Sequence, residues 1–290
     1  MKVIISGGNG QLGQDCLSVL EKKHQVYSFS SRELDITNSE KVKTIFEEIL
    51  PEVVINCAAY TAVDLCETEK EKCWAVNAEG PEKLARGCKH IKAKLIHIST
   101  DYVFDGSKPI TQVYNENDQV GPVSQYGQSK LAGEENIRKI NADHLIIRTA
   151  WLYGISGKNF LKTMLRLAAA DSARTLKVVN DQFGSLTWTH SLARQISHLL
   201  TSEITGTIHA TAEGHSTWYE AATTFLTMMD IPYSIEPCTT ADYPTPARRP
   251  TNSILENQLL KHEKLNIMAH WRDDLQEFVN RYKKDLLAEL

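Results

Sequence analysis

The sequence lacks the features by which membrane proteins and disulfide-stabilised secreted domains are recognised. It contains no apolar run approaching the ~20 residues that a helix needs to cross a bilayer. The N-terminal stretch MKVIISGGNG predicts a strand and a glycine turn, and it has no signal-peptide pattern. The six cysteines form no CxxC pair, so neither a disulfide framework nor a zinc site is predicted. We expect reduced thiols, no protein-bound zinc and a cytoplasmic location.

An excess of positive charge is also missing. The chain has 32 Lys and Arg against 36 Asp and Glu, which is a net charge of -4. Without a basic field, it has no general attraction for the phosphates of nucleic acid or for anionic lipid headgroups. We therefore expect no nucleic-acid partner and no membrane partner, and a small molecule as the ligand.

The sequence does contain a regular alternation of apolar runs and amphipathic stretches. Short strands separated by helices, with apolar character on both strand faces, favour parallel pairing in a sheet that is covered on both sides. The predicted class is α/β, with a Rossmann-type doubly wound parallel sheet. The five strands predicted in the first half span residues 3–6, 25–29, 53–56, 94–99 and 144–147.

After about residue 150 this alternation becomes less regular. We divide the 290 residues into a sheet domain, 1–150, and a smaller C-terminal α/β domain, 151–290, some segments of which we expect to return to the first. Five prolines between 232 and 250 predict a surface loop. The elements predicted in this part are strands at 176–179 and 206–209 and helices near 158–170, 189–201, 217–229 and 272–287.

A glycine-rich turn, GGNGQLG, follows the first predicted strand and opens a helix. Gly7 suits the tight turn, Gly10 lets a pyrophosphate approach the backbone, and Gly13 lets the helix pack closely on the sheet. The free N–H groups of a helix N-terminus attract the phosphates. This pattern predicts an NAD(P)-binding domain in residues 1–150. The residues expected to contact the dinucleotide here are Gly7, Asn9, Gly10, Gln11, Leu12 and Gly13.

The residues after the second strand bear on which dinucleotide is bound. An acidic residue at this point usually contacts a free ribose, whereas here Phe29 is followed by Ser30, Ser31 and Arg32. Hydroxyls and a guanidinium suit the 2′-phosphate of NADPH. Ser31 and Arg32 therefore favour NADPH, and NADH stays an open alternative. The alternative for Arg32 is an arginine that is only solvated on the loop.

A YxxxK pattern, Tyr126 to Lys130, lies on a predicted helix, and the spacing puts both side chains on one face. A phenol with a reference pKa of ~10 needs ~4 kcal/mol of phenolate stabilisation to exchange a proton near neutral pH. The charges of Lys130 and of an oxidised nicotinamide can supply that stabilisation. Thr100 comes directly after the fourth predicted strand, and we expect Thr100, Tyr126 and Lys130 to form the catalytic set.

The glycine turn, Thr100 and the Tyr126/Lys130 pair together resemble the extended short-chain dehydrogenase/reductase family. The resemblance implies that Thr100 hydrogen-bonds the substrate oxygen, that Tyr126 exchanges its proton, and that Lys130 binds the nicotinamide ribose and lowers the pKa of the phenol. It also implies that Asn77 is structural. Further cofactor contacts implied by the resemblance are Asp35, Ile36, Ala58, Ala59, Tyr60, Tyr126 and Lys130.

Several longer stretches narrow the resemblance to the dTDP-4-dehydrorhamnose reductases. They include STDYVFDG at 99–106, RTAWLYG at 148–154, DQFG at 181–184 and RRPTNS at 248–253. The resemblance implies reduction of the 4-keto group of a dTDP-linked 4-keto-6-deoxysugar, dTDP-4-dehydro-6-deoxy-L-mannose, giving dTDP-L-rhamnose for cell-surface polysaccharide. It leaves a Mg²⁺ ion and a homodimer open.

The residue chemistry of these stretches is compatible with such a substrate. Arg248 or Arg249 can clamp a phosphate, and Trp151 can pack against the sugar. Gln182 and Asn252 can hydrogen-bond polar groups of the ligand, or they can hydrogen-bond only the backbone of their loops. The substrate-binding residues expected are Thr100, Asp101, Tyr102, Trp151, Gln182, Arg248 and Asn252.

Two other functions fit the same motifs. A nucleotide-sugar epimerase of this fold keeps its nicotinamide bound and has no net cofactor consumption. A non-catalytic regulatory subunit, such as the relative that serves methionine adenosyltransferase, keeps the dinucleotide site alone, and the intact Thr100, Tyr126 and Lys130 argue against it. We expect His97, His190 and His209 to pack in the core or cap helices.

Overall fold

The computed structural model describes all 290 residues and contains twelve strands and eleven α-helices. All five strands predicted in the first half are present, with β4 and β5 ending at Thr100 and Thr149. The strands are β1 Lys2–Ser6, β2 Gln25–Phe29, β3 Val53–Asn56, β4 Lys94–Thr100, β5 His144–Thr149, β6 Leu152–Tyr153, β7 Thr175–Val179, β8 Phe183–Gly184, β9 Thr187–Trp188, β10 Gly206–His209, β11 Ser216–Thr217 and β12 Ser234–Cys238. The helices are α1 Gln11–Leu20, α2 Ser39–Ile49, α3 Val63–Cys66, α4 Lys70–Trp74, α5 Gly80–Ile91, α6 Gln125–Ile140, α7 Phe160–Ala170, α8 Thr189–Leu199, α9 Trp218–Met229, α10 Gln258–His262 and α11 Trp271–Ala288.

The central sheet has six parallel strands in the order β10-β5-β4-β3-β1-β2. Neighbouring residues of a strand point to opposite faces, and both faces are buried. Ile5 and Ile55 pack with α1 and α8 on one side, whereas Ile4 and Val54 pack with α2 and α5 on the other. The predicted doubly wound α/β class is confirmed.

The chain order reverses between β1 and β3, and this reversal positions the site. In sheets of this kind, ligands bind outside the carboxyl ends of the strands at such a switch point. The glycine turn follows β1, the segment that begins at Cys57 follows β3, Thr100 ends β4, and Trp151 follows β5. All four segments therefore meet at one edge of the sheet.

The second half of the chain contributes to both parts of the molecule. β10 pairs with β5 at the sheet edge, and α8 packs on α1 through Leu192 and Ile196. The remaining segments surround a second core, in which Phe225 of α9 and Phe278 of α11 are fully buried. None of the helices combines the length and apolar character that a membrane span requires.

One prediction for this half was wrong. Residues 234–238 were predicted as part of a surface loop, but they form β12, which pairs in parallel with β7. Pro237 is tolerated because both strands of this two-stranded sheet are edges, where a missing N–H need not break a ladder on each side.

Candidate active site

The glycine turn forms a tight passage from β1 into α1. Gly7 has a φ of +73°, and a Cβ placed there would lie 2.6 Å from the backbone nitrogen of Ala58. A Cβ at Gly13 would lie 2.3 Å from the carbonyl oxygen of Gly7, so the helix approaches the turn too closely for any side chain. Gly10 is exposed, and α1 begins without a side-chain cap. The backbone N–H groups of its first turn are therefore free to bind an anion.

The other predicted residues of this turn line the same entrance. Asn9 is exposed, Leu12 is buried in the core, and the Oε1 atom of Gln11 accepts a hydrogen bond from Asn159 at 3.0 Å. This last contact joins the start of α1 to the segment before α7. The turn is thus held from the C-terminal part of the chain as well as from the sheet.

Charged groups of both signs lie after β2. Ser31 and Arg32 are exposed in a turn, and the Arg32 side chain makes no ion pair. The Lys41 ammonium donates to the carbonyl oxygen of Arg32 at 2.8 Å, which adds a second cation that sequence reasoning missed. The Glu33 carboxylate, also missed, accepts hydrogen bonds from the backbone N–H and hydroxyl of Ser30. The assumption from the sequence that no carboxylate lies near the end of β2 is therefore wrong, because Glu33 is there.

The segment after β3 is clamped by a buried asparagine. The Asn77 side chain accepts from the N–H of Tyr60 at 2.8 Å and donates to its carbonyl at 3.0 Å. Ala58, Ala59 and Tyr60 therefore keep a fixed path over the sheet edge. Two further predicted cofactor contacts lie after β2: Asp35 is exposed and its carboxylate accepts hydrogen bonds from Thr37, whereas Ile36 is buried.

Thr100, Tyr126 and Lys130 come together at the carboxyl end of β4, and each is less than a tenth exposed. Burial raises the pKa of Tyr126 above its usual value, and the nearby Thr100 hydroxyl opposes that shift. Tyr126 and Lys130 are one helical turn apart on α6, as the spacing predicted.

Lys130 is buried and its ammonium donates to the carbonyl oxygen of Ile98 at 2.6 Å. Burial lowers the pKa of Lys130 to about 8, while the charge of Glu134 opposes the shift. Its Nζ also lies 3.3 Å from Nε2 of His97. His97 was expected to serve core packing, and the structure places it in direct contact with Lys130.

Asp101 and Tyr102 follow Thr100 in a single turn of 3-10 helix. The Thr100 hydroxyl donates to the Asp101 carboxylate at 3.0 Å. The Tyr102 ring meets the edge of the Tyr126 ring, with centroids 5.6 Å apart. Burial raises the pKa of both Asp101 and Tyr102, to about 6 for Asp101. Both residues therefore border the catalytic set.

An aromatic wall lies next to this group. Trp151 stacks on Trp218, a residue that sequence reasoning missed, and the Trp218 indole N–H donates to Gln182 at 3.2 Å. The Phe160 ring also packs against Trp218, with centroids 4.6 Å apart. Trp218 begins α9, and nothing in its local sequence distinguishes it from an ordinary core aromatic. Trp151 and Gln182 are thus joined through a third residue.

A cavity of about 670 Å³ opens beside this wall, within the range of small-molecule sites. Its apolar lining includes Phe160, Val178 and Trp218, and Gln182 reaches it as well. Its cationic groups are Arg174, Lys177 and Arg249. The cavity therefore combines an apolar wall with positive charge.

The two neighbouring arginines differ in position. Arg249 lines the cavity and pairs with Asp64 at 3.0 Å. Arg248 is exposed and lines a separate depression with Lys108. Arg249, which the sequence named only as the alternative to Arg248, is the arginine at the cavity.

Asn252 is fully buried and has no polar atom free for a ligand. Its Nδ2 donates to the carbonyls of Lys108, Pro109 and Gln112, and its Oδ1 accepts from the N–H of Ile254. These contacts match the loop-support alternative and not a substrate contact. No group of three or more His, Cys, Asp or Glu side chains is arranged to hold a metal ion.

The chain is similar over most of its length to proteins of known family. Residues 1–284 match the family model described as RmlD substrate binding domain. The chain is 37% identical over 279 residues to the spore coat polysaccharide biosynthesis protein SpsK of Bacillus subtilis, with 96% of each chain covered.

Two crystal structures match the whole fold. That of a dTDP-4-dehydrorhamnose reductase from Clostridium acetobutylicum is 40% identical, with a TM-score of 0.94 over 98% of this chain and 100% of that one. That of dTDP-4-dehydrorhamnose reductase from Bacillus anthracis in complex with NADP is 36% identical, with a TM-score of 0.93 over 97% and 99%.

Proposed function

The chain belongs to the RmlD substrate binding domain family, and we propose on that premise that it is an NADPH-dependent oxidoreductase of dTDP-rhamnose biosynthesis. Its reaction is reduction of the 4-keto group of dTDP-4-dehydro-6-deoxy-L-mannose to dTDP-L-rhamnose. The use of the product in polysaccharide synthesis is supported by the name of the Bacillus subtilis relative, a spore coat polysaccharide biosynthesis protein. We further propose that the enzyme works in the cytoplasm.

The observation that carries this proposal is the burial of Thr100, Tyr126 and Lys130 at the carboxyl end of β4, with Tyr126 and Lys130 one helical turn apart on α6. Tyr126 donates its phenolic proton to the oxygen of the sugar carbonyl, and Thr100 hydrogen-bonds the same oxygen. The Lys130 charge stabilises the phenolate that remains. A general acid of this kind contributes ~10²- to 10⁴-fold to the rate.

The residues present fit a dinucleotide. The exposed face of Gly10 and the uncapped start of α1 accept a diphosphate, and Gly7 and Gly13 leave no room for a Cβ where turn, helix and sheet meet. Ala58, Ala59 and Tyr60 after β3 and Asp35 and Ile36 after β2 would line the bound dinucleotide. When bound, the cofactor supplies the hydride that reduces the sugar carbonyl carbon.

The preference for NADPH rests on the cations after β2. The unpaired Arg32 guanidinium, the hydroxyl of Ser31 and the nearby Lys41 suit a 2′-phosphate. Glu33 adds a negative charge, but its carboxylate is engaged by Ser30. The relative solved with NADP supports the same cofactor.

The dTDP group is assigned to the cavity beside Trp218. Arg249 faces it with a planar guanidinium, which matches phosphate oxygens, and Lys177 and Arg174 add charge. The apolar lining gives the base and sugar a dry surface. Trp151 stacks on Trp218 of this lining and lies two residues beyond Thr149, which pairs with Thr100. We propose that residues 1–150 bind the cofactor, and that 151–290 mainly bind the sugar nucleotide.

Cofactor stoichiometry tests the proposal. Incubation with the dTDP-linked 4-keto sugar and excess NADPH is expected to consume one NADPH for each sugar converted. Conversion without net loss of NADPH absorbance would instead identify an epimerase. Binding of NADPH with no conversion of any dTDP- or UDP-linked 4-keto sugar would identify a non-catalytic subunit.

A further inference from the structure

A buried chain of polar side chains runs under the catalytic set, across three strands of the sheet. The strand register places Ser6, Asn56 and His97 side by side on β1, β3 and β4. The Ser6 hydroxyl donates to Oδ1 of Asn56 at 2.7 Å, and Nδ2 of Asn56 lies 2.9 Å from Nδ1 of His97. The far nitrogen of His97, Nε2, faces Nζ of Lys130 at 3.3 Å. The four side chains are at most 1% exposed, so solvent does not compete for these bonds.

A backbone group sets the direction of this chain. The N–H of Ala58 points at Oδ1 of Asn56 at 3.1 Å, and a backbone N–H can only donate. The amide oxygen of Asn56 therefore faces Ala58 and Ser6, and its NH₂ group faces His97. Because that NH₂ donates to Nδ1, the neutral imidazole carries its proton on Nε2.

This tautomer places the Nε2–H of His97 opposite Nζ of Lys130. An ammonium has three N–H donors and no lone pair, so it meets the Nε2–H of His97 donor to donor. An uncharged amine has a lone pair that accepts this N–H while still donating to the carbonyl of Ile98. We propose that Asn56 holds His97 in the Nε2–H tautomer and that His97 is thereby a positioning residue that favours the amine form of Lys130 over its ammonium form.

This inference rests on the proposed function, in which the Lys130 charge stabilises the phenolate of Tyr126. Burial also favours the amine and lowers the pKa of Lys130 to about 8, while Glu134 on α6, Cys57 after β3 and Cys73 on α4 oppose the shift. His97 stays neutral because burial and the charge of Lys130 lower its pKa well below the usual value. Lys130 therefore loses its charge as pH rises through about 8, and reduction slows.

Asn56→Asp reverses the tautomer with little change of shape. One carboxylate oxygen keeps the hydrogen bonds from Ser6 and Ala58, and the other accepts a hydrogen bond from His97, which then carries its proton on Nδ1. The Nε2 lone pair then faces Lys130 and stabilises its ammonium, as does the added negative charge. We expect the alkaline limb of the pH profile of kcat/KM to move upward by about one pH unit or more.

Ser6→Ala is the matched control at the far end of the chain. It removes one bond to Asn56 but leaves the Ala58 N–H in place, so the tautomer and the position of the alkaline limb stay as in the wild type. His97→Leu removes the opposing N–H and is expected to move the limb upward without adding charge. A limb that stays in place or moves downward in folded Asn56→Asp and His97→Leu overturns the proposal.

A second measurement needs no catalysis. Nitrogen-15 NMR of the wild-type protein, with the His97 ring assigned by comparison with His97→Gln, is expected to show a protonated Nε2 and an unprotonated Nδ1. A proton on Nδ1 contradicts the proposal. Because this experiment uses no sugar substrate, its outcome is independent of whether the reductase assay succeeds.

Discussion

The indole rings of Trp151 and Trp218 stack face to face, with centroids 3.6 Å apart and planes 8° from parallel. Trp151 has a φ of +46°, in the left-handed region that bulky residues seldom adopt. Such strain costs ~1–3 kcal/mol and persists only where the surroundings hold it. Here the Trp218 ring, the bond from the N–H of Thr187 to the Trp151 carbonyl and the space left by Gly184 hold it. The strained residue thus connects Trp218 of the cavity lining to the end of β5, where Thr149 pairs with Thr100.

Gly184→Ala is expected to displace this ring. The new Cβ would lie 2.4 Å from Cε2 of Trp151, so the ring must shift, and overpacking of this kind lowers the free energy of unfolding by ~1–3 kcal/mol. The KM for the sugar nucleotide should rise as well. Urea denaturation measures the first effect. Gly121→Ala is the control, since its nearest non-neighbouring atom would be 3.6 Å away, and equal stability of the two variants would refute the prediction.

Arg249→Gln is expected to raise the KM for the dTDP sugar by ~10- to 100-fold, because a charge-assisted hydrogen bond contributes ~1.5–3 kcal/mol. The KM for NADPH should change little. Arg248→Gln, a change of the adjacent and exposed arginine, should alter neither constant by more than a few-fold. Steady-state kinetics with both substrates varied gives the comparison.

The Asp64 pair supplies a further check on Arg249. Asp64→Asn removes the partner of the guanidinium but keeps the guanidinium itself, so the KM for the sugar nucleotide should stay near the wild-type value. If instead it rises as far as in Arg249→Gln, the arginine acts by anchoring the loop and not by binding phosphate.

Arg32→Ala is expected to raise the KM for NADPH by about 10-fold or more and to leave that for NADH nearly unchanged, because only NADPH carries the 2′-phosphate. Arg86→Ala, which removes an exposed arginine paired with Glu82 on α5, controls for the loss of surface charge. An unchanged preference for NADPH in Arg32→Ala would show that Arg32 is a solvated loop residue.

The buried Asp101 predicts a pH dependence of stability. Burial raises its pKa to about 6, which the nearby Ser253 and Thr100 hydroxyls oppose, and its Oδ2 has no hydrogen-bond partner. A raised folded-state pKa means that the folded protein binds this proton more tightly than the unfolded chain. The stability this group contributes is therefore complete below its ordinary value of 3.8 and is lost as pH rises toward 6.

Asp101→Asn removes that step. Between about pH 4 and pH 7, the free energy of unfolding should fall less in the variant than in the wild type, by on the order of 3 kcal/mol. Asp274, whose burial also raises its pKa to about 6, keeps a similar step in both proteins. Identical pH dependence of the two unfolding free energies would exclude Asp101 as the source.

Much of the fold was predictable because its signals are local. The five strands of the first half are short β-branched runs. The GGNGQLG turn requires glycine at Gly7 and Gly13, because a Cβ at either position would clash with the backbone. The spacing of Tyr126 and Lys130 fixes their common helix face. Local patterns therefore placed the catalytic set on its elements.

The rest depends on contacts that no local pattern encodes. Arg248 and Arg249 are adjacent on one loop, and only tertiary packing decides which one reaches the cavity. The Asn252 side chain could bind a substrate by its chemistry, but its Nδ2 instead donates to three backbone carbonyls of a loop distant in sequence. His97 contacts Lys130 only because strand register and helix packing bring β4 and α6 together. The residues around His97 in the sequence indicate only an ordinary core histidine.

Tyr126→Phe tests the assignment of the general acid most directly, because it removes one hydroxyl from a buried ring. The measurement is NADPH oxidation with dTDP-4-dehydro-6-deoxy-L-mannose, together with the Kd for NADPH of wild type and variant. We predict a fall in kcat of ~10²-fold or more, with a Kd within about threefold of the wild-type value. Turnover at the wild-type rate by the variant would contradict the role of Tyr126 and the reaction built on it.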